Sequence, residues 1–75
     1  MKLSEVEINR NCIIKMLNIE DEKIKLRLME LGLIEGETVR LARKSIFKKT
    51  LLIDLNFSCF TLKTELAKGV MVEYA

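Results

Sequence analysis

The chain has 75 residues, and its 13 Lys and Arg against 11 Asp and Glu leave a formal net charge of +2. This length allows one small core, so we expect a single domain over residues 1–75. The net charge is far below that of an obligate nucleic-acid binder of this size, and it identifies no partner. With 49% apolar residues, no Pro and three Gly, the composition is typical of a folded protein.

The cysteine content argues against a metal site. Cys12 and Cys59 lie far apart and the chain has no His, so a zinc site would need ligands from elsewhere. The N-terminal residues lack the apolar run of a signal peptide, and we therefore expect reduced thiols in a cytosolic protein without metal or cofactor. Charged residues interrupt every apolar stretch before it reaches the roughly 18 to 20 residues of a membrane span, so we expect no direct membrane insertion.

The first predicted elements are a strand and a helix. The apolar, β-branched segment at residues 12–17 predicts the strand, and Asn18 or Asp21 can cap the helix that follows. The acidic residues 20–22 suit the helix N-terminus better than a cation site, because no calcium-loop spacing is present. Apolar residues then recur at helical spacing and are expected to pack on the core. These are Ile24, Leu28 and Leu31, widened by Leu26 and Met29. Gly32 supplies a left-handed cap.

The rest of the chain predicts short strands. Gly36 takes positive φ in a turn, strands follow at residues 38–44, 51–55 and 58–62, and Asn56 tolerates a left-handed turn between the last two. A helical turn at residues 64–68, which Thr64 can cap, precedes a closing strand at residues 70–74. The residues expected to face inward are Val39, Leu41, Ile53, Phe60, Leu62, Val70 and Val72. Several short antiparallel strands in so few residues favour a small barrel.

Residues 27–39 read Arg-Leu-Met-Glu-Leu-Gly-Leu-Ile-Glu-Gly-Glu-Thr-Val, and they resemble the helix-to-strand signature of FeoA proteins. Residues 3–6, 60–67 and 70–72 match in kind and order, so the resemblance covers nearly the whole chain. It implies a mainly β, SH3-like barrel with one α-helix after the first strand and a short helical turn before the last. The chain departs from the family pattern at three places. Glu35 stands where the family usually has Pro, and residues 9–11 and 45–49 lack the Gly that the family usually has in these segments.

The resemblance also implies a function. It points to a small cytosolic accessory protein of ferrous iron uptake that binds the membrane GTPase transporter FeoB at its cytosolic face, and is peripheral to the membrane through that partner. It implies no catalysis, and the sequence contains neither a His nor a GxSxG motif, so no catalytic residue is predicted. The alternative is a small SH3-like barrel that binds nucleic acid or serves as an accessory module of a transcription regulator. The aromatic residues Phe57, Phe60 and Tyr74 are few and mostly core candidates, which disfavours nucleic acid.

Two segments are candidate partner-binding surfaces. The first is the loop at residues 45–50, where large apolar residues sit among cations. Its residues and the cations that precede them are Arg43, Lys44, Ile46, Phe47, Lys48 and Lys49. A solvated basic face, or a loop that folds back to cap the barrel, would explain the same pattern. The second candidate is Leu31, Gly32 and Leu33, although a helix cap accounts for them as well.

We expect the loop at residues 45–50 to be the chief contact with a protein partner, because it combines apolar anchors with lysines that steer association. Surplus apolar residues in the sequence also allow weak self-association. They are Ile46, Phe47, Leu52, Phe57 and Met71.

Overall fold

The computed structural model describes residues 1–45, Phe47 and residues 49–75, and the fold is mainly β. Five antiparallel strands form one sheet in the order β4-β3-β2-β1-β5. The strands are β1 (Asn11–Leu17), β2 (Thr38–Lys44), β3 (Thr50–Asp54), β4 (Cys59–Lys63) and β5 (Val70–Tyr74). Helix α1 (Glu22–Glu30) follows β1, and the short helix α2 (Thr64–Ala67) precedes β5. The predicted element order is therefore confirmed.

The core lies inside this curved sheet, and strand alternation builds most of it. Inward-facing residues of all five strands are buried, as the period of two predicts. The buried members are Cys12, Ile14, Val39, Leu41, Leu51, Ile53, Leu62, Val70 and Val72. Phe60 is half-buried and packs against them. Leu3 and Val6 are also buried, so the N-terminal segment with its short 3-10 helix (Leu3–Glu5) contributes to the core.

The predicted apolar stripe of α1 is wrong in its extent. Leu28 is the buried residue of this helix at 4% exposure, whereas Leu31 is 47% exposed and Ile24 is 36% exposed. Leu26 and Met29 are exposed as well. The cause is a helix of only nine residues packed on a core that the strands already fill, so that one of its side chains enters that core.

The geometry at the C-terminal end of α1 explains why Leu28 is buried and Leu31 is exposed. The Leu33 amide donates to the Leu28 carbonyl at 3.0 Å, and the Gly32 amide donates to the Met29 carbonyl at 3.0 Å. This is the Schellman pattern, in which the residue after the glycine packs on the residue three positions before the cap. Leu28 and fully buried Leu33 are that apolar pair. Leu31 occupies the cap itself and projects outside the pair.

The turns predicted at two glycines are confirmed, whereas one predicted turn residue and one predicted helix cap are wrong. Gly32 and Gly36 have φ of 108° and 93°, as predicted. Among the described residues other than glycine, positive φ occurs at Asn9 rather than at Asn56, so the left-handed turn expected at Asn56 is not formed. Lys63, not Thr64, is the N-cap of α2, because β4 runs directly into that helix. Asp21 caps α1 by accepting from the amides of the second and third helical residues.

Candidate functional site

The β2–β3 loop presents Phe47 to solvent. The Ser45 amide donates to the Thr50 carbonyl at 3.0 Å, and the Ser45 hydroxyl accepts from the Lys49 amide at 3.1 Å and the Thr50 amide at 3.3 Å. These bonds close the base of the loop, and Phe47 is 83% exposed beyond it. Phe47 therefore does not cap the barrel. Ile46 and Lys48, the other two candidates in this loop, lie outside the described residues.

Cations surround this loop because three strand ends meet there. Lys44 of β2 lies opposite Leu51 of β3, and Thr50 lies opposite Lys63 of β4. The Thr64 amide donates to the Lys49 carbonyl at 2.9 Å, which joins the loop to α2. We name this region the basic face. In the described chain its members are Arg43, Lys44, Phe47, Lys49, Lys63 and Lys68.

A cleft of about 420 Å³ lies within the basic face, between the loop and α2. Lys49, Lys63 and Lys68 line it, together with Thr50, Thr64 and Glu65. Lys68 Nζ lies 3.2 Å from Glu65 Oε1, and in the described part of the chain no other cation of the basic face forms an ion pair. Among the described residues, the basic face therefore has five cations, with one carboxylate, that of Glu65, beside them.

A second surface is apolar and surrounds the C-terminal end of α1. Leu31 and Ile34 share a cleft of about 270 Å³ with Leu55 and Phe57. Leu31 also borders a groove between α1 and β4, and Ile34 also borders a third cleft between α1 and β1, so each of these two clefts shares a lining residue with the first. We name this region the apolar surface. Its exposed members are Met16, Ile24, Met29, Leu31, Ile34 and Phe57.

Phe57 is fully exposed in the β3–β4 loop. The sequence groups it with Phe60 and Tyr74 as mostly core candidates and also with the surplus apolar residues, and its exposure agrees with the second grouping. Its position between Asn56 and Ser58, two turn-forming residues, indicates a loop. Tyr74 is half-buried, accepts a hydrogen bond from the Glu7 amide and stacks its ring 3.6 Å from the Arg10 guanidinium. That contact fixes the end of β5.

The candidate segment Leu31, Gly32 and Leu33 divides between the two roles that the sequence left open. Leu33 belongs to the core, whereas Leu31 belongs to the apolar surface. A Cβ on Gly32 would lie 3.1 Å from Leu55 Cδ1, and its φ of 108° is a conformation that other residues rarely adopt. Gly32 is therefore where the backbone approaches the β3–β4 loop.

The two thiols lie in different environments. Cys12 is buried on β1, where burial raises the pKa of its thiol against a smaller opposing effect of Arg10, and its sulfur lies 3.5 Å from the Arg10 carbonyl. Cys59 is exposed at the start of β4, and β3 and β2 separate it from β1 in the sheet. Across the described residues, no group of three or more His, Cys, Asp or Glu side chains is placed to hold a metal ion.

We predict that the purified chain holds no stoichiometric zinc or iron, because its soft ligands are two thiols on separated strands. Elemental analysis of the protein after dialysis should return well under one metal per chain, and a protein with both Cys12→Ser and Cys59→Ser should give the same value. One metal per chain in the wild type that is lost in the double variant would contradict the prediction.

The comparison with family models decides the classification. The FeoA domain model matches residues 1–74. The chain belongs to the FeoA family. This family is involved in ferrous iron transport, and the resemblance seen in the helix-to-strand signature is confirmed. In the described part of this FeoA-family chain, neither helix has the length and apolar composition that crossing a bilayer would require.

Relatives of this FeoA-family chain support the same classification. An Fe(2+) transport protein A of Campylobacter jejuni is 31% identical over 72 residues, which are 96% of each chain. The crystal structure of FeoA from Stenotrophomonas maltophilia, solved with zinc and described as a procaryotic SH3 domain protein, has a TM-score of 0.84 at 32% identity, covering 97% of this chain and 89% of that one. The predicted SH3-like fold is confirmed.

The fold also occurs outside iron transport. A manganese-dependent transcriptional repressor matches with a TM-score of 0.90 at 11% identity, covering 100% of this chain and 41% of the repressor. At that identity the likeness concerns the fold alone.

Proposed function

We propose that this protein is a cytosolic, non-enzymatic accessory protein of ferrous iron uptake, and that it binds the GTPase part of the membrane transporter FeoB through its apolar surface. Membership of the FeoA family supports the iron-transport role, as do the relatives from Campylobacter jejuni and Stenotrophomonas maltophilia. Placement at the inner face of the membrane follows from the transporter being the partner.

The observation that carries this proposal is the continuity of the apolar surface. Small monomeric proteins rarely expose large contiguous apolar patches, and such patches commonly mark protein interfaces. Here six large apolar side chains line neighbouring clefts, each at least a third exposed. Aromatic residues in the middle of such patches often supply most of the binding energy. Phe57, fully exposed beside Leu31 and Ile34, is therefore the proposed anchor.

The composition of the surface also fits a protein partner. Interfaces place apolar and aromatic residues centrally, with charged residues at the rim. Glu37 lines the cleft with Leu31 and Phe57, while Arg27 and Lys63 line the neighbouring groove. These charges of both signs favour one orientation of the partner over others. The loop at residues 45–50, expected from the sequence to be the chief protein contact, presents one described apolar side chain, and we assign the main protein contact to the larger surface.

Ferrous iron uptake in cells tests the function. Cells that lack this protein should take up less radiolabelled Fe(II) than wild-type cells, and the wild-type chain should restore uptake. Phe57→Asp should fail to restore it, since a carboxylate at the proposed anchor opposes burial against a partner. Ile8→Asp is the matched control, because Ile8 is also exposed but lies in the N-terminal turn. Full rescue by Phe57→Asp at equal protein level would overturn the proposed surface.

The same protein should be tested against nucleic acid. A gel shift with random-sequence duplex DNA and with single-stranded RNA at physiological salt should show no complex, because the formal net charge of +2 is far below that of an obligate nucleic-acid binder and two of the four aromatic side chains, Phe60 and Tyr74, are half-buried. Normal iron uptake in cells without the chain, together with a salt-sensitive nucleic-acid complex, would replace the transport role with the regulator alternative.

A further inference from the structure

The basic face is the part of the molecule that the proposed transporter contact leaves unexplained. It lies at the far end of β2 from the apolar surface, because β2 begins at Thr38 beside Glu37 and ends at Lys44 beside the loop. Seven strand residues span roughly 20 Å. Lys63 also lines the groove between α1 and β4, so the two surfaces meet at that residue, whereas Lys44, Phe47 and Lys49 line none of the three clefts of the apolar surface. A partner on the apolar surface therefore leaves the loop end of the basic face free for a second contact.

From this arrangement we propose that the basic face docks on the surface of an anionic phospholipid bilayer, with Phe47 entering the headgroup region and the surrounding lysines contacting lipid phosphates. This inference does not depend on the proposed function. The sequence led us to expect no direct membrane insertion, and the contact proposed here is peripheral, made by one loop and without a spanning segment.

Three features favour a lipid surface over an acidic protein. The first is composition. Four of the five cations in the described basic face are lysines, and lysine is depleted at protein interfaces whereas clusters of Lys and Arg bind anionic leaflets. The second is shape. Phe47 is 83% exposed in a loop whose base is closed by the bonds of Ser45, so it can enter a fluid headgroup layer without needing a complementary pocket.

The third feature is the availability and the position of the lysine side chains. Lys49 and Lys63 line one cleft and have no ion-pair partner in the described structure, so both are available for phosphate. The Ser45 hydroxyl fixes the backbone of Lys49 next to the exposed Phe47. In a membrane, the acyl chains lie beneath the lipid phosphates. The loop matches this order, because its aromatic side chain can reach toward the acyl chains while the lysines behind it meet the phosphates.

Vesicle binding provides the test. Wild-type chain should co-sediment with vesicles of phosphatidylcholine containing about one third phosphatidylglycerol, and not with phosphatidylcholine alone, and binding should weaken as salt rises. Lys49→Gln combined with Lys63→Gln should reduce the affinity for these vesicles about twenty-five-fold, at about fivefold for each cation. Phe47→Ala should reduce it about tenfold, since only part of the ring leaves water. Phe57→Ala and a Lys23→Gln, Lys25→Gln double variant are the matched controls, with changes below about twofold.

Fluorescence gives a second readout, since the chain contains no Trp. A Phe47→Trp variant should shift its emission to the blue on mixing with the anionic vesicles, and a Phe57→Trp variant should not. The proposal is overturned if the wild type fails to bind these vesicles at low salt. It is also overturned if the control double variant loses as much affinity as the Lys49, Lys63 variant. Loss of binding to the soluble GTPase domain in Phe47→Ala, without vesicle binding by the wild type, would assign the loop to a protein partner instead.

Discussion

Replacing Leu28 by Ala should lower the free energy of unfolding by about 2–5 kcal/mol, whereas Leu31→Ala should change it by less than about 1 kcal/mol. Leu28 is 4% exposed and packs in the core with Leu33 through the Schellman ending of α1. Removing its side chain both forfeits apolar burial and leaves a cavity. Leu31 is on the same helix end but 47% exposed, so its truncation leaves the core filled.

Urea unfolding followed by far-UV circular dichroism measures both values. The two variants share the same chemical change three residues apart, and each therefore serves as the control for the other. Small domains have about 5–15 kcal/mol of stability in total, so the Leu28→Ala loss should be plain in the midpoint. Equal losses in the two variants would show that Leu31 is buried in solution, by the core or by a second copy.

Much of the fold was predictable because strand alternation and glycine turns are local. The alternation in residues 38–44 and 70–74 predicts which side chains face inward, and Val39, Leu41, Val70 and Val72 are buried accordingly. Gly32 and Gly36 adopt positive φ at turns where a side chain would be strained. These signals do not depend on how distant segments pack.

The face of α1 could not be predicted in the same way. Apolar residues at spacings of three and four are produced equally by a core-facing stripe and by an exposed interaction surface. What separates Leu28 from Leu31 is the geometry of the helix ending and the space that remains once the strands, Leu3 and Val6 have filled the core. Those are properties of the assembled molecule.

In the candidate site, too, local features could be predicted from the sequence and features that depend on packing could not. The exposure of Phe47 follows from a loop rich in lysine, and the sequence identified that loop as a surface feature, although it left open a fold-back onto the core. The sequence does not predict the apolar surface as a unit, because Phe57 lies more than twenty residues along the chain from Leu31 and Ile34. Only the packing of the β3–β4 loop beside the end of α1 brings them together.

Truncating the anchor of the apolar surface should have a large effect on binding and little on folding. Phe57→Ala should weaken binding to the soluble cytosolic GTPase domain of FeoB about thirtyfold, which corresponds to about 2 kcal/mol at 1.4 kcal/mol per tenfold. The fold should survive, because the Phe57 side chain is fully exposed and contributes nothing to the core. Most of the loss should appear as faster dissociation, as is usual for an apolar anchor.

Titration calorimetry of that GTPase domain with this chain is the most direct test of the account. Wild-type chain should bind, Phe57→Ala should bind about thirtyfold more weakly with an unchanged thermal melt, and Ile8→Ala, which removes an equally apolar exposed side chain outside the surface, should bind like wild type. The account would be contradicted if the wild type did not bind, or if Phe57→Ala bound as tightly as the wild type while Phe47→Ala lost its affinity.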